Sequence, residues 1–257
     1  MAGLLQDRVI LLTGGGHGIG RECARVYAAE GAHVVVADIN EAAAQEAVAA
    51  LPVTGLAAPC DVTRDDQVQA AVAETLRVFG RLDAVHNNTG ISSPSKPLHE
   101  TTDEEWDRLF SINLRSVLVT TRHALAALKT ARGCILNTAS MVGQLGQENH
   151  AAYVATKGGM IALTKAMALD YAGAGIRVNA VCPAGVWTDM LKKWATEQPQ
   201  PERVLQYLND IHALGYCPDA DVVAHASAFL LSDQARFITG CILPVSGGAE
   251  LGYRRIT

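Results

Sequence analysis

Aromatic residues are scarce in this chain. They make up 5% of 257 residues, against 49% hydrophobic residues in total, so any core must be built mainly from aliphatic side chains. Charge is also modest, at 18%, and the apolar content is too high for a disordered chain. Positive charge is short: 21 Lys and Arg face 26 Asp and Glu, for a formal net charge of −5. That balance leaves no electrostatic footprint for phosphate backbones or anionic membranes, so neither nucleic acid nor a membrane surface is expected as a partner. The six cysteines lie far apart with no C-x-x-C pair, which argues against a zinc or dithiol site and for reduced thiols in a cytoplasmic protein. The eight histidines are scattered without ligand spacing, and no metal is expected. No apolar run approaches the roughly 18 to 20 residues that span a bilayer, and the N-terminal residues lack the pattern of a secretory signal. A soluble protein is the expectation. No Pro- or Ser-rich linker divides the chain.

What is present is alternation. Short apolar, β-branched runs at Arg8–Leu12, His33–Ala37, Leu56–Cys60, Leu82–His86, Cys134–Thr138, Arg177–Cys182 and Cys241–Val245 read as strands. Helical patterns fall between them, near Gly18–Glu30, Glu41–Leu51, Arg64–Phe79, Asp103–Leu128, Ala151–Ala172 and Ala220–Leu231. Continuous apolar strands imply burial on both faces, and strand–helix alternation marks βαβ units. The expectation is an α/β fold: a doubly wound parallel sheet of about seven strands, helices on both faces, in one domain over residues 1–257. One stretch breaks the rhythm. From about 185 to 218 the chain is polar and proline-punctuated, with Trp187, Met190, Trp194 and Tyr207 at loosely helical spacing, which reads as a helical substrate lid.

The first strand runs into Thr13-Gly14-Gly15-Gly16-His17-Gly18-Ile19-Gly20 and then a helix. Glycines between a strand and a helix let the backbone approach a pyrophosphate, whose charge sits on the unpaired N–H groups of the helix N-terminus. The spacing Gly14-x-x-x-Gly18-x-Gly20 is not the G-x-G-x-x-G fingerprint. Asp38 ends the second strand, eighteen residues past Gly20, where a carboxylate can accept from both ribose hydroxyls and would repel a 2′-phosphate. NAD is therefore favoured over NADP, with His17 as the one group that could offset the repulsion. Cys60-Asp61-Val62 puts a second carboxylate on the same edge, where it can meet an adenine amino group or cap the helix that follows.

Tyr153 and Lys157 stand four residues apart on one helical face, and Ser140 precedes Tyr153 by thirteen residues, just past a strand. A phenol is a poor base at neutral pH, but a neighbouring ammonium and a positive nicotinamide ring both favour phenolate. A serine hydroxyl beside it can hold the reacting oxygen.

Taken together, Thr13–Gly20, Asp61, Asn87-Asn88-Thr89-Gly90, Asn113, Ser140, Tyr153-x-x-x-Lys157 and Pro183-x-Gly185-Val186-Trp187-Thr188 resemble, in order and spacing, the short-chain dehydrogenase/reductase family over essentially the whole chain. The resemblance implies that Tyr153 is the general acid/base and that Lys157 lowers its pKa and binds the nicotinamide ribose. It makes Ser140 the donor to the substrate oxygen and Asn113 the holder of a relay water. It assigns the dinucleotide to Gly14, Gly16, His17, Gly18, Ile19, Gly20, Asp38, Asp61, Val62, Asn88, Gly90, Pro183, Gly185, Val186 and Thr188, together with Tyr153 and Lys157. It also implies a homotetramer, with the helices Asp103–Leu128 and Ala151–Ala172 packing across one two-fold axis and the C-terminal segment across another. Two loops depart from the family pattern: Thr89 replaces the usual Ala of Asn-Asn-Ala-Gly, and Ala184 is inserted into Pro-Gly.

Within the family, Tyr153–Gly158, Val142-Gly143-x-x-Gly146-Gln147, Val186-Trp187-Thr188 and Gly247–Tyr253 resemble the 17-beta-hydroxysteroid and L-fucose dehydrogenases. That likeness implies that Gln147, Trp187 and a Tyr253 donated by a neighbouring subunit line the substrate pocket; Ser140, Tyr153 and Ser92 are expected to join them, although Ile91-Ser92-Ser93-Pro94 and the lid around Lys192-Lys193 depart from those relatives. Gln144, Gln147, Glu148, Asn149 and His150 suit a polyhydroxylated substrate if they line the pocket, or are loop residues facing water. Met141, Trp187, Met190 and Trp194 would serve an apolar ring system, or pack the lid. The expected activity is oxidation of a secondary alcohol or a sugar such as L-fucose. A hydroxysteroid dehydrogenase, a 3-oxoacyl ketoreductase and a non-catalytic nucleotide sensor are the rivals.

Overall fold

The computed structural model describes residues 2–198 and 200–252. Seven strands form one all-parallel sheet: β1 (Val9–Thr13), β2 (His33–Asp38), β3 (Leu56–Pro59), β4 (Ala84–Asn87), β5 (Cys134–Thr138), β6 (Arg177–Pro183) and β7 (Ile242–Val245), in the order β3-β2-β1-β4-β5-β6-β7. The chain therefore winds outward from β1 in both directions, and the reversal leaves a crevice beyond the C-terminal ends of β1 and β4. The apolar strands divide their side chains between two aliphatic clusters, one on each face. Their continuous hydrophobic sequence follows from burial on both sides.

Helices α1 (Gly18–Ala29), α2 (Glu41–Ala49) and α3 (Asp65–Phe79) connect the first four strands. The expected helix Asp103–Leu128 is instead two, α4 (Asp103–Phe110) and α5 (Ser116–Ala131), joined by a π turn at Ser111–Arg115. A π turn widens the helix locally and is common at functional sites. Here it coincides with the buried side chain of Asn113. The N-terminus of α4 is fixed by a capping box between Thr102 and Glu105. The long helix α6 (Ala151–Ala172) has the expected limits, and α9 (Asp221–Leu231) packs against α1. Strand limits shift by a residue or two. Leu82 and Asp83 precede β4, because the Asp83 carboxylate accepts from Val9 N at 2.9 Å and is paired with Arg81.

The irregular segment holds two helices, α7 (Asp189–Thr196) and α8 (Pro201–Asp210). They share a small cluster of their own around Ala195, Leu208 and Cys217, onto which Trp187, Leu191 and Trp194 pack. Among the described residues no helix is long and apolar enough to cross a membrane.

Candidate active site

The loop after β1 is built around close backbone approach. A Cβ on Gly20 would lie 2.0 Å from the Gly14 carbonyl oxygen, so only glycine lets the first turn of α1 rest against the loop. The cap residue His17 is exposed and offers α1 no side-chain hydrogen bond, and the first turn carries no acidic residue. Its leading N–H groups are thus unclaimed by side chains, which is the donor set an anion needs. Ile19 is half-buried against the core, and the Thr188 methyl lies against Gly18 while its hydroxyl caps α7.

Asp38 is buried at the end of β2. One carboxylate oxygen accepts from Gly16 N and the other from Asn40 N, both at 2.9 Å. The charge is thereby held rigidly beside the glycine loop. Asp61 lies on the neighbouring edge, with Val62 buried behind it. It does not cap α3, whose cap residue is Arg64 and whose N-terminus has no side-chain capping bond. Its Oδ1 instead accepts from the Thr63 amide at 2.9 Å and the Thr63 hydroxyl at 2.7 Å, closing a local turn before the helix begins.

Tyr153 and Lys157 project from the first turns of α6. The Lys157 ammonium donates to the Thr138 carbonyl at 2.8 Å and lies 5.8 Å from the centre of the Tyr153 ring. Burial lowers the Lys157 pKa from 10.5 to about 8. Burial also raises the Tyr153 phenol, against a lowering from the Ser140 hydroxyl. In the protein by itself, desolvation of the ring outweighs the Ser140 hydrogen bond, and the positive nicotinamide ring that the expectation also invoked is not part of that balance.

Ser140 begins a short 3-10 turn, Met141–Gly143, pressed onto α6. A Cβ on Gly143 would lie 2.7 Å from the Lys157 carbonyl carbon, so the absence of a side chain there brings Ser140 to the helix. Ser140 Oγ is 3.5 Å from the Pro183 carbonyl oxygen, tying it to the end of β6. Asn113 is fully buried. Its Oδ1 accepts from Ile91 N at 2.8 Å, and its amide donates to Ile91 O at 2.9 Å and Thr156 Oγ1 at 3.2 Å. Gly90 fits between them: a Cβ there would be 3.3 Å from Lys157 Nζ and 3.5 Å from Asn113 Oδ1. Asn88 joins this turn to the glycine loop, donating to the carbonyls of Thr13 and Gly14. Asn87 instead faces the other way, bridging β4 to β5 through Asn137 at 2.9 Å.

The residues expected to contact substrate are less concentrated. Ser92, Gln144, Gln147, Glu148 and Asn149 are exposed, and His150 turns inward to bond the Glu148 carbonyl. Ser93, beside Ser92, is the residue whose hydroxyl is buried. Trp187 packs with Trp194 in the α7–α8 cluster and lines a cleft of about 620 Å³ with Gly18, Arg21 and Asp219. Pro183 and Val186 are buried, and Gly185 abuts His212. Tyr253 lies outside the described residues. The sequence reading missed Thr138 and Thr156, which anchor Lys157 and Asn113. Thr156 adjoins Lys157 in sequence, but no spacing marks either threonine. Among the described residues no group of three or more His, Cys, Asp or Glu is gathered to hold a metal.

Comparison with known proteins agrees with this geometry. The family model described as "Enoyl-(Acyl carrier protein) reductase" matches residues 14–250. The chain is 40% identical over 248 residues to an L-fucose dehydrogenase of Bos taurus, covering 96% of this chain and 91% of the relative. It is 38% identical over 244 residues to a meso-2,3-butanediol dehydrogenase of Serratia marcescens, covering 95% and 94%. The fold superposes with a TM-score of 0.89 on a 3-ketoacyl-(acyl-carrier-protein) reductase from Brucella melitensis solved with NADH, at 34% identity, covering 96% of this chain and 99% of that one. With its parallel sheet, its glycine loop and the Ser140, Tyr153 and Lys157 cluster at one crevice, the chain belongs to the short-chain dehydrogenase/reductase family and is an oxidoreductase.

Proposed function

We propose that this protein is an NAD-dependent dehydrogenase that oxidises a hydroxyl-bearing carbon, a secondary alcohol or a sugar of the L-fucose type, to the carbonyl. The observation that carries this reading is the buried Lys157 ammonium and the Ser140 hydroxyl converging on the Tyr153 phenol at the crevice. The side-chain-free N-terminus of α1 and the close-packed glycine loop fit a dinucleotide pyrophosphate. When bound, the nicotinamide supplies the hydride acceptor and a positive ring charge. Ser140 holds the substrate oxygen, Tyr153 takes the hydroxyl proton, and Lys157 stabilises the phenolate that must exist for that transfer. Asn113 holds the π turn against the Gly90–Ile91 loop, where the proton leaves. Asp38 takes the adenosine ribose hydroxyls, Asp61 the adenine edge, and Thr188 the carboxamide.

NAD is assigned over NADP because the Asp38 carboxylate, pinned by two backbone amides, cannot turn away from a 2′-phosphate. The same charge and the acidic balance of the chain weigh against a ketoreductase, and the complete Ser140–Tyr153–Lys157–Asn113 set weighs against a non-catalytic sensor. The L-fucose dehydrogenase relative supports a sugar. The exposed Met190 and Leu205 on α7 and α8 favour a second reading, an apolar steroid. The segment 185–218 then acts as the substrate lid of a single domain. We assign a cytoplasmic homotetramer, supported by exposed apolar side chains on the α4–α6 face (Trp106, Leu118 and Leu169) and by Phe237 and Leu251 near β7.

The test is NADH formation over sugars, sugar acids, polyols and hydroxysteroids, with NAD and with NADP. The reading expects turnover of a sugar or secondary alcohol at a kcat/KM at least tenfold higher with NAD. Turnover confined to oxoacyl reduction with NADPH contradicts it.

A further inference from the structure

His86 has no part in the chemistry described so far. It lies in β4, fully buried, on the face where α1 covers the sheet. Its Nδ1 is 2.9 Å from the Tyr27 hydroxyl of α1, and its Nε2 is 2.9 Å from Thr138 Oγ1 at the end of β5. A fully buried imidazole carries a desolvation cost unless both nitrogens are partnered, and both are.

Elementary hydrogen-bond logic assigns every proton along this chain. The carbonyl oxygens of Thr13 and Gly14 only accept, so the Asn88 NH2, 3.1 and 3.2 Å away, must face them. Asn88 Oδ1 then points to Thr138 Oγ1 at 3.3 Å, and the Thr138 hydroxyl donates to it. With its own proton used, Thr138 Oγ1 accepts from His86 Nε2–H. Nδ1 is left as an acceptor and takes the Tyr27 O–H. Burial keeps Tyr27 well above the usual phenol range, so that proton stays in place, and holds His86 down at about 3, so the ring is neutral with one N–H.

Two parts of the site meet on this chain. Thr138 offers its main-chain carbonyl to the Lys157 ammonium, and Asn88 grips the first carbonyls of the glycine loop. Lys157 comes from α6 while His86 faces α1, so Thr138 is the residue they share.

We propose that His86 is a positioning residue: as the Nε2–H tautomer fixed by Tyr27, it holds Thr138 and Asn88 so that the Lys157 ammonium and the dinucleotide loop keep one mutual geometry. Its effect on turnover rests on the dehydrogenase reading above. Its tautomer and its effect on dinucleotide binding do not.

Nitrogen-15 NMR of the wild-type protein reads the tautomer directly. The proposal expects a neutral Nε2–H ring at pH 6, and an Nδ1–H or charged ring overturns it. His86→Gln retains an amide N–H that can reach Thr138, whereas His86→Leu fills the space without a donor. Measured well below their melting temperatures, the Leu variant should bind NADH about tenfold more weakly and show a displaced pH profile of kcat, with the Gln variant recovering most of both. A Leu variant that loses only thermal stability, with wild-type NADH affinity and pH profile, would show that His86 merely fills the core and overturns the proposal. If the wild-type protein binds NADH yet oxidises no alcohol, the dehydrogenase reading fails while the tautomer and affinity results still decide the role of His86.

Discussion

Lys157 shows how much the setting of a single side chain matters. Its ammonium is nearly fully buried, with one carbonyl as its partner, and its pKa falls from 10.5 to about 8. Between those values the unfolded chain binds more protons than the fold, so this group makes stability rise with pH from 8 to 10.5 and withdraws that support as pH falls. Each pH unit in the window is worth at most about 1.4 kcal/mol. Lys157→Met removes the dependence. The stability of the variant relative to wild type, from urea unfolding at pH 7, 8, 9 and 10, should therefore be most favourable at low pH and decline toward pH 10. A difference constant with pH would contradict the lowered pKa. That Tyr153 and Lys157 share one helical face and that Asp38 ends the second strand beside the glycine loop could be read in sequence, because spacing and strand pattern encode placement. The balance of forces on Tyr153 could not, since desolvation depends on what the fold packs around the ring.

Among the elements, the ones with strong periodic signals were legible almost to the residue: α6 and β5 have the limits their apolar patterns suggest. The long helix before β5 was not. Its break at Ser111–Arg115 has no proline or glycine to announce it and depends on Asn113 reaching the Ile91 backbone from a loop twenty-two residues earlier. The 3-10 turn Met141–Gly143 was likewise invisible, although it sets the distance from Ser140 to α6. Gly143→Ala tests it. The added Cβ would sit 2.7 Å from the α6 backbone and has no flexible neighbour to displace. The turn must lift, taking Ser140 with it. We expect kcat to fall at least about tenfold and stability to drop by about 1–3 kcal/mol, measured by steady-state kinetics and urea unfolding. A fully active Gly143→Ala enzyme would show that Ser140 does not depend on this contact.

At the scale of the whole molecule, the sheet order explains why residues from such distant parts of the chain share one crevice: every strand ends on the same edge, and the winding reverses between β1 and β4. Aromatic scarcity takes on a different meaning here. Tyr27 lies fully inside the core and Tyr153 on α6 at the site, while Trp187 and Trp194 pack onto the α7–α8 cluster. Tyr253, the remaining aromatic of the expected pocket, lies outside the described residues. Leu169 at 80% exposure and Leu118 at 53% leave an apolar surface that assembly would cover. Light scattering should give a mass about four times 27.2 kDa, and a monomeric mass would contradict the assembly.

The central claim is that the Tyr153 hydroxyl exchanges the substrate proton, and Tyr153→Phe tests it with the loss of one oxygen atom. Turnover and NADH affinity should be measured on the same preparation. The account predicts NADH binding within a few-fold of wild type and turnover reduced by at least about a hundredfold, the scale of a lost general base. A Tyr153→Phe protein that binds NADH and retains several per cent of wild-type turnover would contradict it.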